Sequence, residues 1–203
     1  MSDGETIRMS KDGVDNGRRR FLLWSTSAVG AAGAVGIAVP FVKSWLPSAR
    51  AQAAGAPVEV DVSKLKEGQS IKTAWRGKPI FVVKRSANSV NELEGMADKL
   101  KDPKSEKPDT LQPGYIGTVT RSIKDDILVV VGICTHLGCV PQHKKELSAG
   151  ENGGFFCPCH GSKFDLAGRV YSGVPASNNL EIPPYSYKDD NTVLIGVDQE
   201  GAA

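Results

Sequence analysis

Two patterns of apolar and polar positions divide the chain. From Phe21 to Val42 it reads FLLWSTSAVGAAGAVGIAVPFV, without a charged residue. As a helix rising ~1.5 Å per residue, this stretch reaches roughly 33 Å, enough to cross a hydrocarbon core of ~30 Å. A secretory core, at about 7–15 residues, would be shorter. From Val58 onward the pattern changes to short β-rich runs separated by turns. PIFVVKR (79–85), YIGTVTR (115–121), DILVVVGI (126–133), GGFFC (153–157), RVYSG (169–173) and NTVLIGV (191–197) are predicted strands. Between the first two, SVNELEGMADKL (89–100) puts Val90, Leu93, Met96, Ala97 and Leu100 on one helical face, and Ser89 with Glu92 supplies a capping box. The predicted class is mainly β, with small stacked antiparallel sheets, one inserted helix and an N-terminal transmembrane helix.

The flanks of the apolar run extend this reading. In NGRRRFL, Arg18 and Arg19 are followed by one more residue and then Phe21 and Leu22, a twin-arginine export pattern. An ordinary positive-inside anchor is the alternative. Both place the N-terminus in the cytoplasm and the C-terminal domain outside it, which in a bacterium means the inner membrane and the periplasm. Gly30, Gly33 and Gly36 form a smooth strip, suited to helix contact or to keeping an export signal mildly hydrophobic. SARAQAAGAP (48–57) is small and poor in packing residues, and reads as a linker. Ala51-Gln52-Ala53 resembles a signal-peptidase site, but the long apolar run favours a retained anchor. The expected division is a cytoplasmic segment (1–20), an anchor helix (21–42), a flexible hinge (43–57) and one domain (58–203).

Composition narrows the class. With 203 residues there is chain for one sizeable domain plus the anchor. A net charge of +2 argues against a nucleic-acid binder, which would carry a basic face. All four cysteines and two of the three histidines fall in two knots, CTHLGC (134–139) and CPCHGS (157–162). Two Cys/His pairs form a tetrahedral zinc set, the natural first reading. Such a site leaves one cysteine per loop unexplained, and outside the cytoplasm a disulfide is stable. His143 matches neither knot and reads as a solvated loop residue.

The two knots resemble the two boxes of Rieske iron–sulfur proteins, and the likeness takes in the anchor, the linker and the outer domain. It implies a Rieske-type 2Fe-2S cluster, with Cys134 and Cys157 on one iron, His136 and His160 on the other, and a disulfide between Cys139 and Cys159. Replacing two thiolates by neutral imidazoles makes a cluster less negative and raises its potential by hundreds of millivolts over all-cysteine ferredoxins. By the same likeness His160 faces the quinol and couples a proton to the electron. Ser162 hydrogen-bonds a bridging sulfide, and Leu137 and Gly138 form the exposed docking tip. SGVPASNNL (172–180), with Gly173 and Pro175, covers the cluster, and Ser177 replaces a second proline usual in the family. Phe164 stands where the family often has a tyrosine that donates to a ligand sulfur, which implies a lowered potential.

The implied function is that of the electron-transfer subunit of a ubiquinol–cytochrome c oxidoreductase. Its partners would be ubiquinol and the cytochrome b and c-type cytochrome subunits of a dimeric, membrane-anchored complex. Rival readings are the small subunit of another exported oxidoreductase, such as arsenite oxidase, and a non-redox zinc module stapled by a disulfide. A Rieske ferredoxin fits less well, because it lacks the extra cysteine pair and the export signal.

Overall fold

The computed structural model describes residues 16–107, 111–117, 119–148, 151–198 and 201–202. The first fifteen residues and Thr118, which fall in the expected cytoplasmic segment and in one predicted strand, lie outside the described residues. Contacts divide the chain into two units, Met1–Ala49 and Arg50–Ala203.

The first unit contains helix α1 (Asn16–Lys43), 28 residues long, with Pro40 inside it and no buried residue. At ~1.5 Å per residue it measures roughly 42 Å. It begins ahead of Arg18 and Arg19, so the arginines lie within the helix. It is long and apolar enough to cross a membrane. A short helix, α2 (Ala49–Ala54), occupies part of the stretch expected as a hinge. Six residues are too few for a helix that is stable by itself in water.

In the second unit three antiparallel sheets and a ribbon carry the fold. β1 (Val58–Asp61), β9 (Thr192–Ile195) and β8 (Tyr185–Asp189) form one sheet in the order β1-β9-β8. β2 (Ser70–Trp75), β3 (Lys78–Lys84) and β4 (Ile127–Val131) form the second, and β5 (Gln142–Ser148), β6 (Glu151–Phe156) and β7 (Lys163–Asp165) the third. β10 (Val197–Asp198) pairs with β11 (Gly201–Ala202). All five residues of β4, ILVVV, are buried, as expected of a β-branched run covered on both faces. β2 and β3 meet at a two-residue turn, Arg76-Gly77, with φ of 49° and 73°. Positive φ at both positions is what a tight hairpin of right-twisted strands requires.

The core joins the sheets. Phe81 of β3 meets Phe155 of β6 edge to face, with ring centroids 5.5 Å apart. Gly132, just past β4, lies against Phe81, and a Cβ there would come within 2.3 Å of the ring. The absence of a side chain at 132 thus lets the chain leave β4 close over the core.

Two predicted strands and one cap are corrected. Residues 115–121 form turns among the described residues, because this segment wraps the buried Arg121. Its guanidinium donates to the carbonyls of Ala167, Gly168 and Leu180, and to Oε1 of Gln112. Residues 169–173 make only isolated bridges, Phe164 with Val170 and Leu100 with Tyr171. The inserted helix, α3 (Ala87–Glu94), starts earlier than expected and is capped by Ser86, whose hydroxyl accepts from the Ser89 N–H. Ser86 is extended (φ −80°, ψ 157°) and can aim its oxygen back at that N–H, whereas Ser89 lies inside the first turn. The helix stops at Gly95, and a 3-10 turn follows at Ala97–Lys99. Met96 and Leu100 consequently pack with Tyr171 in a satellite cluster rather than continuing one helical face.

Buried arginines organise the irregular part. Arg169 pairs with Asp165 at 2.7 Å, both essentially without exposure, and also donates to the carbonyls of Leu93 and Pro103. Arg85 donates to the carbonyls of Thr120 and Leu166. Burial lowers Arg85 and Arg121 to about 10, which leaves both cationic at neutral pH. Each satisfies loop carbonyls that no sheet reaches.

Candidate metal centre

Strand register brings the two knots together. Gln142, just after the first knot, pairs with Phe156, just before the second, and Phe156 pairs in turn with Lys163, just after it. The first loop (134–139) thus enters β5, and the second (157–162) connects β6 to β7, at the same end of one sheet.

The loops have the same internal backbone pattern. In the first, the Cys134 N–H donates to the Cys139 carbonyl at 2.8 Å and the Gly138 N–H to the Cys134 carbonyl at 3.0 Å. In the second, the Cys157 N–H donates to the Ser162 carbonyl at 2.8 Å and the Gly161 N–H to the Cys157 carbonyl at 3.0 Å. Gly138 and Gly161 have φ of 84° and 76°, the left-handed conformation that side-chain-bearing residues resist. Two equivalent turns therefore present their first cysteines side by side.

Cys134 and Cys157 are buried free thiols. Burial pushes the Cys134 thiol up, the His136 backbone N–H pulls it down, the neighbouring Cys157 raises it and the Ser162 hydroxyl lowers it. A buried thiol with a raised pKa, as at Cys134, is poorly placed as a free nucleophile, and two buried thiols side by side are well placed as ligands, which a cation would deprotonate. Beside them the rings of His136 and His160 stand edge to face, centroids 4.8 Å apart and planes at 88°. Nδ1 of His136 is buried without a hydrogen-bond partner. An orphaned nitrogen on one of two adjoining imidazoles, together with two buried thiols, fits a two-sulfur, two-nitrogen ligand set.

Cys139 and Cys159 form a disulfide across the two loops. Cys139, Cys157 and Cys159 place their sulfur atoms within 4.8 Å of one another, so the bridge lies against a buried thiol. Ser162 is fully buried and its Oγ accepts from the Ala176 N–H at 3.0 Å. Leu137, 72 % exposed, Gly138 and His160 stand at the surface, as do Gly173 and Pro175. Phe164 is fully buried, in the same core cluster as Cys134 and Cys157.

His143 differs from the solvated loop residue that the sequence suggests. It lies on β5, half-buried, in a cross-strand row with Phe155 and Phe164, its ring centroid 5.6 Å from that of Phe155. Burial lowers its pKa, and Lys145 and Lys72 lower it further. Sequence reasoning also misses the residues that fasten the 172–180 loop. Thr135 donates to the Asn178 carbonyl at 2.6 Å, and Asn179 accepts from the Val170 N–H and donates to the Asp102 carbonyl and Ser105 Oγ. Apart from the bond to Val170, nine positions away, these contacts are between positions far apart in the chain and follow no periodic pattern.

Comparison with known proteins accounts for nearly the whole length. Residues 56–185 match the Rieske [2Fe-2S] domain, and residues 9–48 match the ubiquitinol-cytochrome C reductase Fe-S subunit TAT signal. The ubiquinol-cytochrome c reductase iron-sulfur subunit of Allochromatium vinosum is 53 % identical over 96 % of this chain and 95 % of its own. That of Blastochloris viridis is 43 % identical over 92 % of this chain and 97 % of its own. A chain of a hyperthermophilic respiratory Complex III is 28 % identical over 83 % of this chain and 96 % of its own, with a TM-score of 0.49. A [2Fe-2S] cluster is thus the cofactor of this chain, and electron transfer is the activity. The chain belongs to the Rieske iron–sulfur subunits of ubiquinol-cytochrome c reductase.

Proposed function

We propose that Cys134 and Cys157 bind one iron of the cluster and His136 and His160 the other, with His160 facing ubiquinol. The observation that carries this reading is the pair of imidazoles at 4.8 Å beside two buried free thiols, with His160 at the surface and His136 half-buried. The bound cluster supplies a one-electron acceptor whose potential its imidazole ligands raise. With one ring nitrogen on iron, the other nitrogen of His160, in contact with solvent, would accept a hydrogen bond from a quinol hydroxyl when it is deprotonated and take up the quinol's proton as the electron arrives. His136, deeper, keeps the second iron anchored. Leu137, with the 51 % exposed Val140 next to the cluster, forms an apolar tip suited to the quinol-binding cytochrome b subunit.

The remaining finer assignments belong to the same reading. The chain is anchored in the bacterial inner membrane by α1, with its N-terminus cytoplasmic and the cluster domain periplasmic, in a dimeric complex. After reduction the domain travels on the 43–57 linker to a c-type cytochrome. Low-temperature EPR of dithionite-reduced membranes tests the reading. A Rieske signal whose shape changes with a quinol-site inhibitor is expected, and a silent, colourless protein would return it to a zinc module. Replacing ARAQAAG (49–55) with prolines should leave that signal intact and slow electron delivery, because domain travel needs a soft linker. Unchanged turnover would exclude a moving domain.

A further inference from the structure

Lys101 lies outside both cysteine loops, yet it is held more firmly than a surface lysine requires. Its backbone N–H donates to the Val170 carbonyl at 3.0 Å, the Ser172 N–H donates to the Lys99 carbonyl at 2.8 Å, and Leu100 bridges Tyr171. The base of the side chain is therefore fixed beside 170–172. From there its ammonium donates to two carbonyls, Val174 at 2.7 Å and Ala176 at 2.6 Å. These carbonyls flank Pro175, which has no N–H to offer a neighbour. Distances this short are typical of hydrogen bonds from a charged donor.

Ala176 connects this clamp to the redox centre. It is fully buried, its carbonyl accepts from Lys101, and its N–H donates to Oγ of Ser162. A serine hydroxyl that accepts from one side keeps its single hydrogen for another. Ser162 itself closes the second loop, fully buried, with its carbonyl accepting from the N–H of the buried Cys157 at 2.8 Å, which places it next to that thiol-bearing residue. Among the described residues, Lys101 and Ser162 are the polar ties of the Gly173–Ser177 stretch, where Gly173, Pro175 and Ser177 are exposed.

We propose that Lys101 is a positioning residue for the redox centre: its ammonium clamps the loop at 174–176 and, through Ala176, keeps the Ser162 hydroxyl turned toward the cluster sulfurs. This rests on the reading that the 134–139 and 157–162 loops hold the cluster. A hydroxyl donating to a sulfur withdraws negative charge and favours the reduced state. When the clamp is lost, Ala176 loosens, Ser162 regains its freedom to rotate, and the potential falls.

The test uses the full-length, cluster-loaded chain in detergent, as wild type, Lys101→Met and Lys101→Arg. Hydrogen exchange of a peptide covering 173–178 and redox titration at low and high salt are both measured. In Lys101→Met, exchange at the Ala176 amide should be roughly tenfold faster, the factor expected when a charge-assisted hydrogen bond is lost. The midpoint potential should fall and stay low at high salt, and Lys101→Arg, which also bridges two carbonyls, should restore both. Wild-type exchange or an unmoved potential in Lys101→Met would overturn the proposal. So would no recovery in Lys101→Arg, or a potential drop that high salt removes, since screening identifies a remote charge. A missing Rieske signal in the wild type would instead mark failure of the cluster reading.

Discussion

The loops at 134–139 and 157–162 share one backbone and differ in what they expose. Each begins with a buried cysteine, closes through equivalent hydrogen bonds and turns at a left-handed glycine. In the first the histidine is the third residue and half-buried, and in the second it is the fourth and exposed. A one-residue offset on equivalent turns changes which side of the pair meets solvent. The sixth residue differs as well: Cys139 bonds covalently to the opposite loop, whereas Ser162 turns inward to the 172–180 loop. Equivalent backbones place the two buried cysteines alike, and the unequal side chains leave one loop with an exposed histidine and the other with a half-buried one.

The largest effect should come from the feature that the loops share. Cys134→Ser and Cys157→Ser should each abolish the cluster, read as loss of visible absorbance and of the reduced EPR signal. Retention of a normal cluster in either would break the equivalence. Removing the cross-loop bond by Cys139→Ser with Cys159→Ser should leave some cluster insertion but cost ~2–4 kcal/mol in denaturant unfolding. Wild-type melting and potential in the double variant would show that the bridge does not hold the two loops.

Smaller changes sharpen the comparison. Gly138→Ala and Gly161→Ala meet no atom within 4 Å of the added Cβ, so each cost is backbone strain, ~1–2 kcal/mol and equal in the two loops. Clearly unequal losses of stability would mean that the turns are not equivalent under load. Phe164→Tyr, beneath the second loop, should raise the midpoint potential if the new hydroxyl donates to a ligand sulfur. At ~1 kcal/mol for one electron the rise is on the order of 40 mV, and a redox titration with an unchanged or lower midpoint would discard that route.

The smallest expected effect concerns the histidine that belongs to neither loop. His143 is held toward its neutral form by burial, then by Lys145 and Lys72, in an open site that also contains Asp61 and Lys64. Its native pKa is lowered, so the native state binds fewer protons than the unfolded chain. Its contribution is complete above the unfolded value of ~6.5 and is lost as pH falls through the lowered native one. His143→Gln should therefore flatten the acid side of the stability–pH curve, and parallel curves for variant and wild type would exclude the effect.

The sequence by itself determined the features that local chemistry writes into consecutive residues. The uncharged run at 21–42, the paired arginines, the Cys/His spacing of both knots and the β-branched stretches behind β3, β4 and β9 each depend on neighbours in the chain. Other elements were hidden because their cause lies elsewhere. β2 and β5 are polar enough to read as loops and become strands only because β3 and β6 pair with them. Residues 115–121 alternate like a strand, but the buried Arg121 must satisfy its donors on carbonyls from 167, 168 and 180, and that requirement overrides local propensity. Strand register decided that the knots meet, since pairing of Gln142 with Phe156 joins loops whose first cysteines are 23 positions apart in the chain. Which side chains fasten the 172–180 loop was also a tertiary matter. Lys101 and Asn179 act through hydrogen bonds across more than 70 positions, and no pattern of residue types along the chain encodes a contact at that separation.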